Sequence, residues 1–70
     1  MTLNQAQEST QYTIRELCTQ DDELNAFLFS LGCYSGEPIT VVSRRKSTCV
    51  VALKDSRYCI DRQLADAIIV

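Results

Sequence analysis

Four cysteines, Cys18, Cys33, Cys49 and Cys59, carry the widest chemistry in this sequence, because thiolates bind metals, attack electrophiles and oxidise to disulfides. Structural zinc sites bring their ligands in close pairs, about two to four residues apart. Here the intervening stretches are fourteen, fifteen and nine residues long, and the chain contains no His. The spacing therefore favours four free thiols packed in the core or at its edge over a zinc site. Without an imidazole, a thiol or hydroxyl nucleophile also lacks its commonest base, so no catalytic constellation is present and the chain does not read as an enzyme. Asp21, Asp22 and Glu23 are consecutive, and neighbouring helical residues point in different directions. Helix capping and dipole complementarity explain these acids better than a carboxylate pair or an Fe(II) site. No metal ligand and no cofactor is expected.

The second group with chemical potential is cationic. Arg44, Arg45 and Lys46 fall in a polar stretch between two β-rich runs, where they either solvate a hairpin tip or face an acidic partner. With a net charge of −2, the chain is poorly suited to neutralising phosphates, so nucleic acid is not the expected partner. Tyr34 and Tyr58 are the only evident aromatics for stacking bases, and barrel-edge packing suits them better.

These residues need a scaffold, and 70 residues allow one small domain that buries only about 60% of the surface its unfolded chain exposes. Residues 1–11 are mostly polar, with only Leu3 and Ala6 apolar after the first Met, and are expected to form a disordered tail. Residues 12–17 form a first strand. Residues 19–23 start a helix whose apolar face carries Leu24, Phe27, Leu28 and Leu31, with Gly32 ending it in a left-handed conformation. Phe29 lies off that stripe and is either packed against a loop or exposed to a partner. Pro38 opens a strand, residues 39–43 and 49–53 pair as a hairpin, and 57–60 form a fourth strand. A helical turn capped by Asp61 and a closing strand over 66–70 complete the chain. The expected architecture is mostly β with an inserted helix: a small closed barrel of about five strands, with the helix after the first strand and a short helical turn before the last. The opening residues carry no basic and apolar leader, so a cytoplasmic location is expected. No apolar run is long enough to span a membrane.

The helix ending Leu31-Gly32, the turn Tyr34-Ser35-Gly36, the strand Ile39-Thr40-Val41-Val42 and the terminus Leu64-Ala65-Asp66-Ala67-Ile68-Ile69-Val70 together resemble the FeoA family, ferrous iron transport protein A. The resemblance covers residues 12–70 and rests on order and spacing. It implies an SH3-like barrel acting as a non-catalytic cytosolic accessory or regulatory module of ferrous iron uptake. The implied partner is the cytoplasmic part of a ferrous iron permease with a GTPase domain, so that membrane contact comes only through that partner. Weak transition-metal association is also implied. The family's loop between its second and third strands is longer than residues 43–48 here, and Asp61 stands where the family tends to place a basic residue. Candidate partner contacts are Phe29, Tyr34, Arg44, Arg45 and Lys46. The alternatives are a small nucleic-acid-binding barrel and a stand-alone metal-responsive regulatory domain.

Overall fold

A computed structural model describes all residues, 1–70. Six strands and two helices follow in the order β1 (Gln11–Thr13), β2 (Glu16–Leu17), α1 (Asp22–Leu31), β3 (Pro38–Arg44), β4 (Thr48–Leu53), β5 (Ser56–Asp61), α2 (Arg62–Ala65) and β6 (Ile68–Ile69). An antiparallel sheet in the order β1-β3-β4-β5 and a small sheet of β2 and β6 enclose one core. The SH3-like barrel with its inserted helix is therefore present, with six short strands instead of five.

The extra strand arises because residues 12–17 do not run straight. Tyr12 pairs with Ile39 in one sheet and Glu16 with Ile69 in the other, so the chain turns a corner at Ile14. Ile14 is fully buried there, its N–H donating to Glu37 O at 2.8 Å and its carbonyl accepting from Gly36 N at 2.8 Å. Satisfying both backbone groups is what lets a polar main chain cross the core.

Helix α1 begins where the acids are. The Asp21 carboxylate accepts from the N–H groups of Glu23 at 2.9 Å and Leu24 at 3.4 Å, and Asp22 and Glu23 lie at the positive end of the helix dipole. Gly32 terminates the helix at φ +98°, where an L side chain is strained. Of the four stripe residues only Leu28 is fully buried; Leu24 and Leu31 are half-buried and Phe27 is 47% exposed. The helix rests on the barrel along a narrower line than its periodicity suggests, which corrects the placement of Phe27 in the core. Asp61 stands at the start of α2 without a side-chain capping bond, and the closing strand shortens to two residues.

The largest departure is at the N-terminus. Residues 1–11 do not form a loose tail: Leu3–Gln5 make a 3-10 turn, and Leu3 and Ala6 are core residues at 0% and 1% exposure. Met1 O accepts from Val70 N at 2.8 Å and Thr2 bridges to Ile69, so both chain ends join one edge. Asn4 and Arg62 exchange hydrogen bonds, Asn4 Nδ2 donating to Arg62 O at 2.7 Å and Arg62 Nε donating to Asn4 Oδ1 at 2.8 Å. The polar segment is ordered by acceptors and donors offered by residues far along the chain.

Because only a left-handed residue fits after Leu31, Gly32→Ala should lower stability by about 1 to 2 kcal/mol. A urea transition displaced to lower midpoint with unchanged slope checks this.

Candidate functional site

The loop leaving α1 and the turn joining β4 to β5 meet at one end of the barrel. Phe29, from the last turn of α1, is 62% exposed and packs on the half-buried Tyr34 ring, with centroids 5.0 Å apart and planes tilted by 42°. Lys54, in the two-residue turn between Leu53 and Ser56, reaches the same place. Its Nζ donates to the Tyr34 hydroxyl at 2.7 Å and lies 4.8 Å from that ring's centroid. A side chain on Gly32 would come within 3.2 Å of Lys54 Cε, so the bare glycine leaves the space in which the lysine stem lies. The hydrogen bond to Tyr34 raises the Lys54 pKa above its ordinary value, opposed by partial desolvation and helped by the Tyr34, Glu37 and Tyr58 charges nearby. The ammonium thus sits on the half-buried Tyr34 ring, against which the exposed Phe29 packs. Phe27, on the same helix, is also exposed.

The cationic candidates lie elsewhere. Pro38–Arg44 spans seven residues, which at about 3.3 Å each sets the β3–β4 loop roughly 20 Å from the aromatic end in a molecule measuring 28 × 25 × 22 Å. Arg45 and Lys46 are exposed at that loop. Arg44 is not available at the surface in the same way. A bulge between Val41 and Ser43 shifts the register, so that Arg44 pairs with the buried Cys49 and shares its face. Its Nη2 donates to Leu3 O at 3.2 Å and to Ala6 O, while its backbone N–H donates to a Glu8 carboxylate oxygen at 2.9 Å. Arg44 is a fastener of the N-terminal segment. Of the five residues proposed from sequence, the structure joins Phe29 with Tyr34, leaves Arg45 and Lys46 together at the far end, and turns Arg44 inward. Sequence reasoning missed Lys54, whose signal is a cation in the tight turn that closes onto the start of β3.

The cysteines divide into two pairs. Cys33 and Cys49 are buried, Cys18 and Cys59 exposed, and all four are free. No three Cys, Asp or Glu side chains converge as metal ligands. Burial pushes the Cys33 thiol up to about 11 and also raises that of Cys49, against the lowering pull of Arg44 and Arg62. Both buried thiols are therefore weaker acids than an exposed cysteine. No cavity large enough to enclose a small molecule opens on the surface, and no helix is long and apolar enough to cross a membrane.

Alkylation at pH 8 should modify Cys18 and Cys59 in the folded protein and all four thiols after unfolding, as read by intact mass. Because the folded Cys33 thiol holds its proton to higher pH than its ordinary value near 9, the folded state binds more protons between about pH 9 and 11. Stability should fall across that window by up to about 3 kcal/mol, and Cys33→Ala should flatten the slope.

Comparison with known proteins places this geometry. Several solved structures are similar over nearly the whole chain, three of them at TM-scores of 0.88 to 0.89. One is the crystal structure of Stenotrophomonas maltophilia FeoA complexed with zinc, an SH3 domain protein, at TM-score 0.89 and 20% identity, covering 100% of this chain and 88% of that one. Another is a manganese-dependent transcriptional repressor at TM-score 0.89 and 18% identity, covering 97% of this chain and 39% of that one. The third is iron(II) transport protein A from Clostridium thermocellum at TM-score 0.88 and 22% identity, covering 99% and 43%. At these identities the likeness shows the shared fold. No curated protein sequence matches. The FeoA domain matches residues 1–70 without a gap at either end, including the N-terminal segment, and the chain belongs to the FeoA family.

Proposed function

We propose that this chain is a non-catalytic accessory of ferrous iron uptake that works in the cytoplasm by binding the cytoplasmic part of a ferrous iron permease. Membership of the FeoA family supports the pathway. The observation that supports a binding role is the exposed Phe29 packed on the half-buried Tyr34, with the Lys54 ammonium held on that tyrosine. An aromatic edge next to a fixed cation is the kind of feature that anchors interfaces, since it combines large apolar area with orientation. A standard interface takes about 800 Å² from each partner, a roughly round patch about 16 Å in radius. Centred on Phe29, it takes in Tyr34 and Lys54 but stops short of the β3–β4 loop. Arg45 and Lys46 therefore act at most from the rim, where charge tunes the association rate and its salt dependence.

Isothermal titration with the permease's purified cytoplasmic region tests this. Phe29→Ala and Lys54→Glu should each weaken binding about tenfold or more, and reversing the charges of Arg45 and Lys46 together should change it by less than about threefold at physiological salt. Absence of binding by the unaltered protein, or indifference to Phe29→Ala, would exclude the surface.

A further inference from the structure

The N-terminal segment covers Arg44 without satisfying it. The guanidinium's Nε is buried and has no hydrogen-bond partner, although the neighbouring Nη2 donates to both Leu3 O and Ala6 O. A buried, unpaired charged donor is costly, and the arrangement it lacks is specific. The side-by-side Nε–H and Nη2–H of an arginine match the two oxygens of one carboxylate. Main-chain carbonyls offer single acceptors and fill only half of that fork. Glu8, the nearest acid of the segment, spends an oxygen on the Arg44 backbone N–H.

The segment also has the construction of a removable strap. Residues 1–8 carry two core side chains, Leu3 and Ala6, and apart from the exposed Met1 are otherwise polar. Ser9, which joins the strap to β1, holds φ at +63°, a conformation uncommon for a residue with a side chain, fixed by its N–H donating to Val41 O at 2.7 Å. Beneath the strap lie Arg44, Arg62 and the space filled by Leu3. Arg62 Nε donates to Asn4 Oδ1 and its Nη1 to Arg45 O at 3.2 Å.

The geometry points to this seat as a second binding site, one that takes an extended acidic peptide segment in place of the chain's own residues 1–8, with a carboxylate bidentate on Arg44. It lies at the opposite end of the barrel from Phe29 and does not rest on the permease reading. The ligand supplies an apolar side chain for the space of Leu3 and an acid for the open fork. The tethered strap competes at an effective concentration in the millimolar range, so the site is filled by its own chain until a better acceptor arrives.

The test uses the full-length protein carrying Asn4→Ala, which cuts the strap's pair with Arg62 and removes no core side chain. It is titrated with a synthetic peptide of the strap's own sequence, residues 1–10, and with the same peptide carrying Gln5→Glu and Gln7→Glu. Those two positions flank Ala6, one of the two residues whose carbonyls Arg44 grips. The expected result is a shift of the Arg44 Nε–H resonance with both peptides, at least about fivefold tighter binding of the acidic one, and loss of that preference in Arg44→Lys, which keeps charge but not the fork. Amide protons of Gln5 and Ala6 should lose protection as the peptide binds. An Arg44 Nε–H signal unmoved by millimolar peptide, or equal affinity for the two peptides, would overturn the site. So would loss of the folded spectrum in both Asn4→Ala and Leu3→Ala, because the strap would then be inseparable from the core.

Discussion

The single extra residue in β3 governs how this barrel closes. Before the bulge, Ile39 and Val41 face the core opposite Leu53 and Val51; after it, the inward position passes from the odd to the even residues and Arg44 takes the place opposite Cys49. Period 2 makes this unavoidable, since one inserted residue moves every following side chain to the other face. A guanidinium at a core-facing position requires acceptors, and the carbonyls of Leu3 and Ala6 provide them. The same contact brings Leu3 into a core of only 14 side chains and sets Met1 beside Val70. One backbone irregularity thus recruits the N-terminus, and the N-terminus covers what the strands leave open.

That chain of dependence explains which parts of the fold are legible in the sequence. Asp21 and Gly32 could be read as helix boundaries because a cap acts within a few residues of itself. The two hairpins are likewise local: polar turns flanked by β-branched strands leave few alternatives. Residues 1–11 were illegible for the converse reason. Their order derives from Arg44 and Arg62, 41 and 58 residues away from Leu3 and Asn4, and a window judged by its own polarity contains no trace of those partners. The bulge hides in the same way, because the run Val41-Val42-Ser43-Arg44 fits either register by composition.

The candidate site divides along the same line. Phe29 is visible as an aromatic off the apolar stripe, since helical periodicity alone sends it outward. Tyr34 is visible as an aromatic in a turn. Their contact with Lys54 depends on β4 returning antiparallel to β3, which places residue 54 beside the loop that precedes residue 38. Arg44 fails for a physical reason already given: a basic triplet in a loop looks uniform, yet register assigns its first member to the strand and to the inner face.

The placement of the two phenylalanines bears most directly on function. The core is built from Leu, Ile, Val, Ala and Cys, with no aromatic fully enclosed, while Phe27 and Phe29 remain 47% and 62% exposed. Fully burying one such side chain is worth about 1.5 to 3 kcal/mol, a large share of what holds a domain this size together. A fold of 70 residues that needed only stability would gain by turning these rings inward, and helix α1 already touches the core through Leu28 on the adjacent face. Phe29 instead lies against Tyr34, the ring to which Gly32 and the β4–β5 turn bring a lysine, so its apolar area is kept at the surface close to a fixed charge. Exposed apolar area of this kind is recovered only when another surface covers it, which is the physical case for a docking end distinct from the strap that seals the other.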